Sequence, residues 1–179
     1  MCHILPAIGS LNQHLYHLKH HPEAYRPQQC PHCGRGGVWR HGHYPRKADR
    51  EGKDGVYLDP VPIPRFYCRH CQATCSRLPA CIAPRRWYSW SVQQAVLAML
   101  LSGLSLRKAA RMSQPGRHTI GRWRRWLEDR FSRYSFYLRS HFPELGRHGS
   151  QTSFWLACFH RMSLAAAMAV LDRDGVTIP

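Results

Sequence analysis

Four of the eight cysteines in this chain are grouped in pairs, Cys30-Pro31-His32-Cys33 and Cys68-Arg69-His70-Cys71. Two thiolates separated by two residues grip one ion from a tight turn. Two such hooks supply four soft sulfur ligands, the closed tetrahedral set of a structural zinc site with no position left for water. Gly34 follows the first hook and lets the backbone fold back so that amides face sulfur. The expected cofactor is therefore one structural Zn2+ held by Cys30, Cys33, Cys68 and Cys71. A redox role for either pair lacks the surrounding βαβ pattern that such a role needs. Cys75 and Cys81 lie near the second hook and read as buried or spare, because four ligands are already present. His32 and His70 sit inside the hooks and are expected to point away from the metal. Cys2 and Cys158 have no evident partner.

The second chemistry is electrostatic. Lys and Arg total 26 against 10 Asp and Glu, a formal charge of +16. The excess is concentrated: +7 over residues 30–86 and +8 over residues 87–149, against +1 over 1–29 and zero over 150–179. Most of these cations are arginines, whose planar guanidinium suits bidentate contact with phosphate or a guanine edge. A polyanion is the partner such a surface attracts, with counterion release adding to affinity.

The elements that must carry these groups can be read around them. Thirty-four residues separate the hooks, wider than the usual four-cysteine spacing. Residues 38–44 and 61–67 are rich in aromatic and β-branched side chains and predict two strands, with a charged turn over 46–55 and a third strand at 74–78. Residues 79–86 read as a linker. A helix then runs from Ser89 or Ser91 to Leu101, with Val92, Ala95, Val96, Met99 and Leu100 at helical spacing, and Gly103 closes it. Ser105 caps a short helix over 106–112, residues 113–116 turn, and a third helix covers roughly 118–131 with Ile120, Trp123 and Leu127 on one face. That order is a helix-turn-helix. Arg117, His118, Thr119 and Arg122 are placed for the major groove of double-stranded DNA, and Arg107, Lys108, Arg124 and Arg125 for phosphates. A plain three-helix bundle with a solvated arginine face is the bland alternative.

The expected class is thus α+β, an N-terminal four-cysteine zinc ribbon of antiparallel strands followed by a helical helix-turn-helix domain. The expected parts are a helical extension over 1–27, the ribbon over 28–80, the helix-turn-helix over 87–135 and an apolar segment over 150–172. In the extension, Ser10 begins a helix with Ile8, Leu11, Leu15 and Leu18 on one side and exposed histidines at 14, 17, 20 and 21. Residues 132–153 read as a helix end followed by a loop. The apolar segment either packs on the bundle or docks a partner.

The series Cys30-Pro31-His32-Cys33-Gly34, Arg40-His41-Gly42-His43-Tyr44 and Ile63-Pro64-Arg65-Phe66-Tyr67-Cys68-Arg69-His70-Cys71, with Thr74, Ser76, Leu78 and Pro79, resembles the zinc-ribbon region of bacterial insertion-sequence transposases and of small proteins associated with them. In such proteins a helix-turn-helix follows, as Ser105–Leu127 does here. The resemblance covers about residues 28–130; Cys75 stands where that pattern more often has an aromatic residue. It implies recognition of element-end DNA or recruitment of a transposition complex, with a transposase subunit or a second copy as partner.

The same resemblance marks what is missing. Transposases of this kind cut DNA with three carboxylates on two metal ions, and beyond Phe131 only Glu144, Asp172 and Asp174 remain. The chain is therefore expected to be non-catalytic. Residues 1–18 lack a secretory pattern, and residues 154–171 are interrupted by His160 and Arg161, so a cytoplasmic, nucleoid-associated protein without a membrane partner is expected. A transcriptional regulator built from the same modules, or a zinc-dependent RNA- or protein-interaction adaptor, are the competing readings.

Overall fold

A computed structural model describes residues 2–48, 58–84 and 87–178, leaving the side chains of Cys2 and His3 outside that set. The chain divides into two compact units, Met1–Trp87 and Tyr88–Pro179. Its class is α+β: a mixed four-stranded sheet in the first unit and, among the described residues, seven α-helices, six of them in the second.

In the first unit the three predicted strands form as β2 (Val38–Arg46), β3 (Val61–Cys68) and β4 (Thr74–Pro79). β2 and β3 are antiparallel, running from Val38 opposite Cys68 to Arg46 opposite Val61, and β3 and β4 are antiparallel through Phe66 opposite Cys75. The register shifts between Arg40 and His43, where His41 and Gly42 together oppose Arg65; Gly42 takes the positive φ of 77° that such a bulge requires. The predicted turn over 46–55 falls largely outside the described residues. A strand that the sequence pattern does not announce, β1 (Cys2–Leu5), lies parallel to β4, so the sheet order is β1-β4-β3-β2. Three antiparallel strands and one parallel strand thus make a mixed sheet instead of the all-antiparallel ribbon expected.

Helix α1 (Leu11–His20) starts where Ser10 was expected to start it: the Ser10 hydroxyl accepts from the Gln13 amide, and the Gln13 side chain accepts from the Gly9 amide. Its Leu11 and Leu15 pack beside Val61, Ile63, Leu78 and Ile82, and its Leu18 beside a second cluster containing Tyr25, Val38 and Phe66.

Two histidines depart from the predicted exposed set: His17 is half-buried, and His14 departs furthest. His14 is fully buried. Its Nε2–H donates to the Pro62 carbonyl at 2.9 Å, which leaves Nδ1 to accept from the Tyr25 hydroxyl at 2.6 Å. The ring is neutral in this arrangement, and burial lowers its pKa despite the opposing pull of the Pro62 carbonyl.

The second unit opens with α2 (Trp90–Leu101), α3 (Leu106–Met112) and α4 (Arg117–Asp129), followed by α5 (Phe131–His141), a 3-10 turn over Pro143–Arg147, α6 (Gln151–Arg161) and α7 (Leu164–Arg173). Ser89, Ser105, Ser150 and Ser163 each cap a helix by accepting an amide three residues on, at about 1 kcal/mol per cap. Residues 132–153 hold more helix than predicted, because α5 begins immediately after Arg130 with no glycine or proline to mark the joint. The apolar segment is two helices meeting at 100°, not one. Phe154, Trp155 and Cys158 of α6 and Leu164, Met168 and Leu171 of α7 are buried within the unit. Tyr134 ties the core together, accepting from the Trp126 indole at 3.2 Å and donating to the Thr177 carbonyl at 3.0 Å. No single helix among the described residues is long and apolar enough to cross a membrane.

The buried neutral His14 has a consequence for acid stability. Below about pH 6.5 the unfolded chain protonates this imidazole while the folded chain resists, so its contribution is full above that pH and is lost as pH falls through the lowered folded value. One such proton adds a slope of at most about 1.4 kcal/mol per pH unit. Thermal melts between pH 7 and pH 5 should therefore show a shallower pH dependence for His14→Gln than for the native chain. The glutamine amide can still serve both Pro62 and Tyr25 but does not titrate; equal slopes would dismiss the assignment.

Candidate metal centre and basic helical face

The two cysteine hooks fold alike. In the first, the Gly34 amide donates to the Cys30 carbonyl and the Cys30 amide to the Arg35 carbonyl, both at 2.8 Å. In the second, the Gln72 amide donates to the Cys68 carbonyl at 2.9 Å and the Cys68 amide to the Ala73 carbonyl at 3.0 Å. The residue after each hook is left-handed, Gly34 at φ 72° and Gln72 at φ 56°. Glycine adopts that conformation freely; the glutamine does so at a cost of about 1 kcal/mol or more, so the second hook is the more strained of the two.

These turns bring four sulfurs together. The Sγ atoms of Cys30, Cys33, Cys68 and Cys71 all lie within 4.8 Å of one another. Cys30 and Cys71 are separated by 3.6 Å and Cys33 and Cys68 by 3.7 Å. A zinc–sulfur bond of about 2.3 Å gives a tetrahedron with sulfur–sulfur edges of about 3.8 Å, which these separations fit; a disulfide would require about 2.05 Å. The His32 amide also faces the Cys30 sulfur at 3.4 Å. Cys30 and Cys68 are buried, whereas Cys33 and Cys71 lie at the surface.

The proton affinities diverge within the cluster. Amides of Cys71 and, against the effect of burial, of His70 lower the Cys68 thiol to about 7. The Cys71 thiol is favoured as thiolate by the Ala73 amide, yet local desolvation and the neighbouring sulfurs of Cys30, Cys68 and Cys33 push it up to about 12. Sulfurs this close cannot all ionise without a cation among them, and one metal ion fits the set. Among the described residues no other group of histidines, cysteines or carboxylates converges in this way. Cys75 and Cys158 are buried and Cys81 half-buried. Burial pushes the Cys158 thiol up to about 12 and the Cys81 thiol to about 11, inert positions in both cases.

The predicted DNA-facing residues all fall on α3 and α4, which pack on each other and on α2. Ile120, Trp123 and Leu127 of α4 are buried, and a helix that hides residues at this spacing turns the opposite stripe outward. That stripe carries His118, Arg122 and Arg125, all exposed, with Arg117 exposed at the first turn. Arg107 and Lys108 are exposed at the start of α3. Two residues sit differently. Thr119 is half-buried and accepts from the Arg122 guanidinium at 3.5 Å, while Arg124 pairs with Glu128 at 2.7 Å to one side of the stripe.

Sequence reading missed Gly121, which lies on the same outward stripe. A β-carbon there would meet nothing within 4 Å. Packing does not require the glycine, although it weakens a helix interior by about 1 kcal/mol relative to alanine.

The sulfur geometry separates ligands from bystanders by substitution. Cys68→Ser should abolish stoichiometric binding of one metal ion and unfold the first unit, since such sites contribute on the order of 10 kcal/mol to folding. Cys75→Ala should keep the metal and cost only about 1–2 kcal/mol in buried packing. Metal content by mass spectrometry with melting curves reads both; a metal-replete Cys68→Ser chain would refute the ligand set.

Comparison with curated proteins and with solved structures gives no match. A family described as a domain of unknown function, DUF6431, matches residues 30–123, from the first hook cysteine to the buried Trp123 of α4. That span takes in the metal-ligand candidates together with α2, α3 and the outward arginines at the start of α4, more than half of the 179 residues. The chain belongs to the DUF6431 family.

Proposed function

We propose that this protein is a zinc-stabilised, non-catalytic duplex-DNA-binding protein with a four-cysteine zinc ribbon in its first unit and a helix-turn-helix in its second. The observation that carries the reading is the outward stripe of α4, where His118, Arg122 and Arg125 stand opposite the buried Ile120, Trp123 and Leu127. A short α3 and the turn at residues 113–116 precede it, the order in which a recognition helix is presented to the major groove. Arg117, His118, Thr119 and Arg122 are assigned to base edges, and Arg107, Lys108, Arg124 and Arg125 to phosphates. The Arg124–Glu128 pair must open for its part in this. The soft, closed sulfur set favours zinc and leaves no coordination position for a reacting water, which supports a scaffolding metal. The likeness of the cysteine frame to insertion-sequence transposases supports element-end DNA as the target, with a transposase subunit or a second copy as partner.

Binding of a labelled duplex should weaken steeply with salt, with a log–log slope of about −0.9 per phosphate neutralised. Lys108→Ala should reduce that slope by about one, whereas Arg122→Ala should cost about 1–3 kcal/mol and relax sequence preference. A zinc-loaded chain that bound no duplex even at low salt would end the reading.

Gly121 supplies a sharper test, because its two roles have opposite signs. Gly121→Ala should raise thermal stability by about 0.5–1 kcal/mol, as expected for an open helix interior. If α4 lies against DNA, the added methyl should also reduce duplex affinity. Stabilisation with unchanged affinity would place the α4 backbone away from the duplex.

A further inference from the structure

The arginines of α4 leave a second feature unexplained. Trp39 on β2 is 53% exposed, in a strand where every residue after Val38 is exposed or half-exposed. Trp39 stands opposite Tyr67 of β3, and the His41 ring lies 5.7 Å from Tyr67. Arg65, two residues from Tyr67 along β3 and hence on the same face, reaches over Tyr44 at 5.3 Å. The result is a run of rings and guanidinium on one face of an edge strand and its neighbour. Of the arginines on these strands, Arg65 shares this face, whereas Arg40, next to Trp39 and opposite the buried Phe66, lies on the other and Arg46 donates to the Ala83 carbonyl; neither strand carries an acidic residue. Beside Trp39, an open cleft of about 250 Å³ is bounded by Arg26, Pro27, Gln28, Gly37 and Val38.

We infer that this face binds single-stranded DNA, with Trp39 stacking on an unpaired base that enters the cleft. Aromatic rings interleaved with cations on a strand face supply stacking and phosphate attraction together. The spacing selects for unpaired bases. Same-face neighbours along a strand are about 6.8 Å apart, roughly twice the 3.4 Å rise of bases stacked in a duplex strand. Bases must therefore be unstacked to meet successive rings. In the cleft, the exposed Gln28 amide can donate to and accept from a base edge, and the Arg26 guanidinium sits at the rim with Glu23. Charge disfavours a basic partner at this face and favours an anionic one. The site lies within the first unit and does not rest on the duplex role of α4.

The test uses the full, metal-loaded chain with a fluorescently labelled oligothymidylate and a labelled duplex of matched length, read by anisotropy. Trp39→Ala should weaken oligothymidylate binding about tenfold or more and leave duplex affinity within about twofold, while Trp39→Phe should retain most of the single-strand affinity. His41→Ala should lower it by a smaller factor. Arg122→Ala should show the reverse selectivity, losing duplex affinity and keeping oligothymidylate binding; unchanged duplex affinity in that variant would defeat the helix assignment and leave this one standing. Oligothymidylate binding that Trp39→Ala does not change, in a variant with native metal content and melting temperature, would overturn the inference, as would no binding of oligothymidylate by the native chain.

Discussion

The convergence of four sulfurs within 4.8 Å is the constraint on which the first unit depends. Cys68 ends β3 and pairs across the sheet with Val38, the first residue of β2, so joining the hooks fixes where the hairpin begins. The buried Cys30 and Cys68 belong to the same apolar cluster as Leu5, Ile8, Tyr25, Val38 and Phe66. The ligands are thus part of the core, not an attachment to it. That core is small, and small cores rarely hold a fold without a staple. The four sulfurs converge as one metal ion would require, and such an ion would contribute to folding on the order of 10 kcal/mol.

Features dictated by local chemistry were legible in the sequence. The hooks announce themselves because tetrahedral ligation demands two-residue spacing, and Ser10, Ser89 and Ser105 mark helix starts because a hydroxyl must reach an amide three residues on. Features dictated by distant partners were not. β1 is four residues long and pairs with β4 more than seventy positions away, so nothing near it specifies a strand. His14 looks like its neighbours His17, His20 and His21 until Pro62 arrives, 48 residues later, to accept a hydrogen bond from its ring. The joint between α4 and α5 carries no helix breaker; Arg130 alone departs from helical geometry, at φ −100° and ψ 0°. Ser163 could have divided the apolar segment, since it caps α7 as Ser105 caps α3, but a mostly apolar run hides a break that a single cap makes.

The two faces of α4 arise from one requirement. Trp123 packs edge-on to Tyr88 at 5.5 Å between ring centres, and Ile120 and Leu127 flank it in the interior. With those three positions inward, helical periodicity leaves His118, Arg122 and Arg125 outward whatever the partner. Burial therefore sets the direction of the arginines, while their chemistry sets what they attract. Gly121 does not follow from burial, since a side chain there would meet open space. A residue that weakens the helix without serving its packing is more readily explained by what approaches the helix from outside.

Charge makes the same point for the whole chain. Arg26, Arg124 and Arg161 form ion pairs with Glu23, Glu128 and Glu144, each exposed and worth little individually. Even if all 10 acids were matched one to one, 16 of the 26 basic residues would remain uncompensated within the chain. Self-repulsion of that size opposes compactness and is relieved by solution anions when the protein is alone. A polyanion relieves it better, because one partner replaces many counterions and releases them to solution. The excess is divided nearly equally between residues 30–86 and 87–149, so a surface confined to α4 would leave half of it without a role. Of the cations in the first span, Arg65 lies with Trp39 and Tyr67 on one face of β2 and β3, where the proposed single strand would engage it.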